Sequence, residues 1–418
     1  MDVLCSRDRV ILGGGEPLRL WERLGISHWD MSQNGKKFSF YEGVVVLKAK
    51  LNRRQLLQGS TVTATALAMG TSTLGLEPQG DDLEWHNVEQ WGVEGKGWEA
   101  EQTEKYFDRL PERAKGEVRS PVWSLSRHSA GMLARFRTNA NKIWVDYKLT
   151  SSKLALPHMP ATGVSGVDLY ATDEAGQSRW VAVSRPTSQN VKTQLVGNLL
   201  PGERDYTVYL PLYNGTEFLR VGVPKGAAFE PIAPRTKKPI VFYGTSITHG
   251  ACASRPGMPH PAILGRRFDR PVINLGFSGN GKMEKEVGNF LAELDPVVYV
   301  IDCLPNMVGR EVAARAEPLV RQLRKARPKT PILLVEDRTY ANAGFVSGSQ
   351  KRHDESRGAL RSAYERLVAE GFEQIGYVKG ESLLGEDRDD TTDGSHPSDL
   401  GFYRHANAME GVLRKLGC

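Results

Sequence analysis

Residues 239–250 read Pro-Ile-Val-Phe-Tyr-Gly-Thr-Ser-Ile-Thr-His-Gly, and this stretch decides the fold class. Ile240 to Tyr243 form a continuous apolar run, the pattern of a strand buried on both faces of a sheet. Comparable runs recur at 272–275, 297–301, 332–335 and 374–378. Between them the periodicity predicts helices over 259–267, 284–294, 310–326, 356–370 and 400–416. In the third of these, Val312, Ala316, Leu319 and Leu323 fall on one face, with Pro318 a point for a kink. Strands alternating with helices predict a parallel sheet in an α/β domain over 240–418.

Upstream the pattern is different. Residues 85–230 are rich in Trp, Tyr, Val and Thr, with turn residues at short intervals. Strands are expected at 118–125, 132–138, 142–149, 167–172, 180–183, 205–210 and 217–223. In Ile143-Trp-Val-Asp-Tyr-Lys-Leu149 the odd-numbered residues would face a core. Short strands without a long helix predict an all-β sandwich or jelly roll over 81–232. Three prolines and three cations between Pro231 and Pro239 mark a linker, placed at 233–239.

The first eighty residues read as a leader outside the fold, disordered or removed. Residues 52–58 are Asn-Arg-Arg-Gln-Leu-Leu-Gln, followed to residue 76 by a Thr/Ala-rich stretch without Asp, Glu, Lys or Arg. This resembles a twin-arginine export signal (Tat-type signal peptide) around 52–76, which predicts a periplasmic or extracellular protein. A short buried helix is the alternative. The stretch is too short and polar for a membrane span, so no span is expected in the mature protein. The net charge of the 418-residue chain is +6, half of it within residues 1–80. Near-balance without a basic stripe argues against nucleic-acid binding. The four cysteines include no CxxC, so a structural zinc site is not indicated, and no His/Cys/Asp cluster has metal spacing.

Four polar signals fall at strand ends or before the last helix. Ser246 follows the first α/β strand, where a hydroxyl can enter a crevice beside backbone N–H groups; it equally suits a helix cap. The segment is not the GxSxG elbow of the α/β-hydrolases. Gly276, Gly279 and Gly281 follow the second strand and permit close backbone approach to a ligand. Asn306 follows the third and can donate its amide to an oxyanion, or cap a helix. Asp393-Gly-Ser-His396 places a carboxylate three residues before a histidine, so that one ring nitrogen is held and the other is free to act as base; a solvated polar turn reads the same way. His249, His260, His353 and His405 have no such pattern and are read as surface or structural.

Together and in this order the four resemble the SGNH (GDSL-type) hydrolase family over about 239–418. Ser246, Gly279, Asn306 and the Asp393/His396 pair stand at its motif positions. Gly-Thr-Ser replaces the usual Gly-Asp-Ser, and Pro-Asn-Met the usual Gly-x-Asn-Asp. Gly166-Val-Asp168-Leu169-Tyr170 matches the Gly-x-Asp-Leu-Tyr signature of the β-domain preceding one subgroup. The resemblance implies a flavodoxin-like parallel sheet with helices on both faces. It also implies a serine esterase working through a covalent acyl-enzyme, with no metal or organic cofactor. Ser246 would be nucleophile, His396 base and Asp393 its orienting partner. The N–H groups of Ser246 and Gly279 with the amide of Asn306 would form the oxyanion hole. Small-molecule or carbohydrate esters are the expected substrates. An acyltransferase, or a silent carbohydrate-binding protein, are the competing readings. Cys252 and Cys303 lie near Ser246 and Asn306 in sequence and are expected either as a disulfide locking the two loops or as two buried thiols.

Overall fold

The structure, a computed structural model, describes residues 82–418 with their side chains and, before them, the backbone of five strands. Those five strands form a unit of their own. β1 (Val3–Ser6) and β2 (Arg9–Leu12) pair antiparallel; β3 (Trp29–Gln33), β4 (Lys36–Tyr41) and β5 (Val44–Lys48) form an antiparallel meander. The twin-arginine segment lies outside the described residues.

The second unit opens with two antiparallel sheets. One has the order β10 (Ser178–Val183), β9 (Asp168–Thr172), β12 (Arg204–Tyr209), β7 (Leu133–Thr138), β14 (Phe229–Ile232). The other has the order β11 (Asn190–Val196), β8 (Ile143–Leu149), β13 (Thr216–Pro224), β6 (Leu83–Asn87). Ile143, Val145, Tyr147 and Leu149 are buried, as the alternation along β8 requires, and pack with Phe136, Leu169, Tyr206 and Val221 into the sandwich core.

One expected strand is corrected. Residues 118–125 fall largely in a helix, α1 (Ser120–Ser126), with Pro121 in its first turn, where a missing N–H costs nothing. Its buried Val122 packs with Trp98, Leu110 and Ala114 against the α/β domain, not into the sandwich, and a one-turn helix, α2 (Ala161–Val164), follows between β8 and β9. The strands β6, β11 and β14, which periodicity did not yield, all lie at sheet edges. An edge strand packs against one neighbour, so its apolar pattern is diluted.

The α/β domain has five parallel strands in the order β16 (Val272–Gly276), β15 (Ile240–Gly244), β17 (Val298–Asp302), β18 (Ile332–Val335), β19 (Ile375–Val378). Every residue of β15, β16, β17 and β18 is buried, because helices cover both faces. One face packs α5 (Lys285–Glu293), α6 (Gly309–Ala326) and α7 (Ser347–Ala369); the other packs α4 (His260–Arg267) and α8 (Asp399–Lys415). Val312, Ala316, Leu319 and Leu323 face the sheet as their spacing demands. The strand order reverses at β15, and the crevice at the carboxyl end of such a strand is where ligands bind in open α/β sheets. No helix among the described residues is long and apolar enough to cross a membrane.

Candidate active site

Ser246 is the first residue of a one-turn helix, α3 (Ser246–His249), directly after β15. Thr245 caps it by accepting from the Ile247 N–H. Gly244 is obligatory: a Cβ there would stand 2.0 Å from Thr248 Oγ1 and 2.8 Å from the Asp302 carbonyl. The Ser246 side chain is nearly buried, and its Oγ lies 2.8 Å from His396 Nε2. His396 Nδ1 lies 2.8 Å from Asp393 Oδ2, while Asp393 Oδ1 accepts the backbone N–H groups of His396 (2.8 Å) and Ser395 (3.0 Å). The line Ser246–His396–Asp393 is therefore continuous, with the ring's tautomer set by the carboxylate at Nδ1. Burial resists ionisation of Asp393, but hydrogen bonds from His396 and Ser395 outweigh it and hold the carboxyl below its ordinary range. Asp393 and His396 are 40% and 24% exposed, so this end of the line is partly solvated.

The turn after β16 supplies the facing wall. Gly279 adopts φ +70°, a left-handed backbone that a residue without Cβ takes freely. The N–H groups of Ser246 and Gly279 have no protein acceptor among the described residues. Oriented to suit its neighbours, the Asn306 amide accepts through its oxygen from Asn280 N–H (2.9 Å) and Gly281 N–H (3.1 Å), which turns its NH2 to the opposite side. Asn306 ends a short 3-10 turn (Leu304–Asn306) rather than capping α6, whose N-cap is Val308.

Cys252 and Cys303 are free and buried, so of the two expected readings the structure shows the pair of thiols and not the disulfide. Their loops begin at neighbouring strand ends but bury the thiols on opposite faces of the sheet. Cys303 lies among the residues under α5–α7 and its thiol meets the Tyr243 carbonyl at 3.5 Å. Cys252 lies on the α4/α8 face at φ +70°, against Thr392 and Asp393. Burial pushes the Cys252 thiol up to about 11. The four other histidines singled out in the sequence are all buried.

Residues with no sequence signature complete the surroundings. Arg338, fully buried beside Asp337, donates to the Ser395 carbonyl (2.9 Å) and so braces the turn carrying His396. Arg109 is buried without a carboxylate and donates to the carbonyls of Leu125 (2.6 Å), His128 (2.9 Å), Asn274 (2.9 Å) and Gly276 (2.8 Å). It ties the α1 segment to the strand that leads into the Gly279 turn. His158, on a tight turn from the sandwich, lies beside His396 with ring centroids 5.9 Å apart and the ring planes tilted by 32°. The Gly-x-Asp-Leu-Tyr residues reach the site indirectly. Buried Asp168 accepts from Arg255 (3.0 Å), the Gly257 N–H (2.8 Å) and Trp180 (2.9 Å), so it holds the loop that follows α3.

Both domains are similar to known proteins. Residues 237–414 match the GDSL-like Lipase/Acylhydrolase family, and residues 83–229 match the GxDLY family, the N-terminus of Esterase_SGNH_hydro-type proteins. The chain is similar to a protein of Bacteroides ovatus assigned to the GDSL-like lipases, at 31% identity and TM-score 0.75, covering 80% of this chain and 98% of that one. The fold is shared with a salicylyl-acyltransferase of a tetracycline biosynthetic pathway (18% identity, TM-score 0.61, covering 81% and 96%). It is shared also with a family two carbohydrate esterase of Cellvibrio japonicus (12%, TM-score 0.51, covering 80% and 98%). No curated protein matches the sequence.

Proposed function

We propose, from the premise that this chain belongs to the GDSL-like lipase/acylhydrolase family, that it is an exported serine esterase acting on O-acylated sugars through a Ser246–His396–Asp393 triad. The observation that carries the reading is the unbroken hydrogen-bonded line from Ser246 Oγ through the His396 ring to Asp393. In the first step Ser246 Oγ attacks the ester carbonyl carbon while its proton passes to His396 Nε2. Asp393 keeps the Nδ1 proton in place and stabilises the imidazolium without taking that proton. The charge gained by the carbonyl oxygen would be received by the Ser246 and Gly279 N–H groups and the Asn306 NH2; removing one such donor typically costs about 3–4 kcal/mol of barrier. His396 then returns the proton to the leaving alcohol, and water repeats the sequence on the acyl-enzyme.

The sugar-ester assignment draws on the partly solvated, polar mouth formed by His158, Asp393 and His396, and on the fold shared with a carbohydrate esterase. Export draws on the paired Arg53-Arg54 and the uncharged stretch behind them. The test follows acid release from acetylated sugars and from nitrophenyl esters of increasing chain length, with intact-mass detection of the acyl-enzyme. Loss of the Ser246 adduct and of turnover in Ser246→Ala supports the reading; wild-type turnover in that variant overturns it. Ester formation on an added alcohol, in place of free acid, would make the protein a transferase.

A further inference from the structure

We propose that a divalent transition-metal ion of the zinc type is held inside the α/β domain by His260, His405 and Asp302, as a structural site separate from the serine chemistry.

His260 opens α4, His405 lies within α8 and Asp302 ends β17. Nothing in their sequence spacing announces a site, because three different elements deliver them. One ligand atom from each lies within 4.8 Å of the other two, and all three residues are buried. His260 Nε2 stands 3.8 Å from Asp302 Oδ2, and the two imidazoles face each other with centroids 4.5 Å apart. Metal bonds of about 2.0–2.1 Å place neighbouring ligand atoms roughly 3.0–3.4 Å apart, so closure onto an ion requires the ligand atoms to approach by up to about 1.5 Å and the stacked rings to tilt.

The second observation is independent of proximity. All four ring nitrogens of His260 and His405 lack a hydrogen-bond partner among the described residues, although both rings are fully buried. Buried polar atoms are paired in native proteins, and two imidazoles with four orphaned nitrogens side by side call for a partner. Their hydrogen-bonding alternative is poor: the Asp302 oxygen nearest His260 is beyond hydrogen-bond reach and already accepts from Thr248 Oγ1 at 2.9 Å. That Thr248 contact is the outer-shell hydrogen bond expected on a ligating carboxylate. Two imidazoles and one carboxylate suit zinc-type ions rather than calcium or magnesium, which prefer oxygen. Full burial, with Phe242 and Phe402 beside His260 and the buried Arg338–Asp337 pair near His405 and Asp302, fits a structural rather than a catalytic ion. Through Thr248 the ion would also fix α3, which carries Ser246.

The experiment takes the full chain expressed with zinc and dialysed against EDTA at neutral pH, and counts metal by mass spectrometry. The expected result is about one zinc per chain in wild type and at least about a tenfold lower content in His405→Met and in His260→Phe. A Cys252→Ser variant should keep the wild-type content, which separates this site from the ligand atoms of Cys252, Asp393 and His396, which also lie within 4.8 Å of one another. Wild type is also unfolded in guanidinium with EDTA and refolded with or without zinc; the zinc-refolded sample should melt at higher temperature. Zinc in wild type no greater than in His405→Met, or equal melting temperatures after the two refoldings, overturns the proposal. The refolding comparison needs no variant and decides the matter even where a variant does not fold.

Discussion

Asp393→Asn perturbs the proposed proton path at its most exposed member. The asparagine keeps an oxygen for the His396 and Ser395 N–H groups but turns an NH2 toward His396 Nδ1, where Asp393 now stands at 2.8 Å. A ring that accepts at Nδ1 carries its proton on Nε2 and cannot take the proton of Ser246. In deeply buried triads this substitution lowers kcat by about 10⁴. Here Asp393 and His396 are 40% and 24% exposed, so the loss is smaller. A carboxylate and an imidazolium roughly 4 Å apart attract by about 2–4 kcal/mol at an effective dielectric constant of about 20–40, and solvent pulls the value to the lower end. Restoring the productive tautomer requires the amide to rotate out of one hydrogen bond, at about 1–1.5 kcal/mol. The two terms sum to about 3–4 kcal/mol, so kcat should fall about 10²–10³-fold with KM nearly unchanged. Asp393→Ala, which leaves Nδ1–H to water and forces no tautomer, should lose no more than Asp393→Asn. Initial rates on an acetylated sugar with both variants make the measurement. An Asp393→Asn enzyme within about threefold of wild type, or one much faster than Asp393→Ala, refutes the tautomer argument. The pH dependence follows from the same contacts. Because the folded carboxyl titrates below its ordinary 3.8, its stabilisation is fully present above that value and is lost as pH falls through the lower, folded value. Asp393→Asn should therefore lower the neutral-pH melting temperature slightly, and the difference from wild type should vanish as pH falls below about 4.

Ser246→Ala should lower kcat by about 10⁴–10⁶ without loss of thermal stability, checked by turnover and melting together. Asn306→Ala should lower kcat by about 10²–10³ and leave KM nearly constant; a change in KM alone would make Asn306 a substrate contact. Arg109→Met removes the donor shared by four carbonyls, of which Leu125 keeps the His128 N–H, and should cost about 3 kcal/mol in urea unfolding, where a loss below about 1 kcal/mol would show that water replaces the guanidinium. His158→Ala should raise KM for acetylated oligosaccharides several-fold, by about 1 kcal/mol of lost contact, while nitrophenyl acetate turnover stays within twofold.

The α/β half was legible because its strands are buried on both faces and read as unbroken apolar runs. Ile240 to Tyr243 and their neighbours gave the sheet, and the Val312–Leu323 face gave the packing of α6. The sandwich was read from its inner strands, such as β8, and from the edge strand β10, and lost at its other three edges. Residues 118–125 misled because β-branched and aromatic residues flank Pro121, and the pattern carries no sign that the segment leaves the sandwich. The site was legible wherever chemistry depends on a residue at a strand end: Ser246, Gly279, Asn306 and the Asp393/His396 turn. Arg109, Arg338 and His158 were not, because each acts across long sequence separations and bears no local motif. Cys252 and Cys303 show the limit of the same reasoning. Adjacent strand ends bring their loops to one edge of the sheet, but a single residue's direction decides which face receives the thiol.

The Gly-x-Asp-Leu-Tyr motif joins these two kinds of information. As sequence it resembles a family signature of the β-domain, with no stated task. In the structure its aspartate is buried and spends its acceptors on Arg255, Gly257 and Trp180, two of them in the loop that leaves α3. Thr162, just upstream, donates to the Ser254 carbonyl at 2.7 Å, and Asp399 at the start of α8 accepts from the Ser254 N–H at 2.9 Å. The loop behind Ser246 is thus held from one side by the sandwich and from the other by the helix that follows His396. A carboxylate buried this deeply is costly unless fully paired, and Asp168 is paired only when the Arg255 loop is docked. The motif therefore couples folding of the β-domain to the placement of the serine loop, which makes the sandwich a part of the active-site scaffold rather than an appended module.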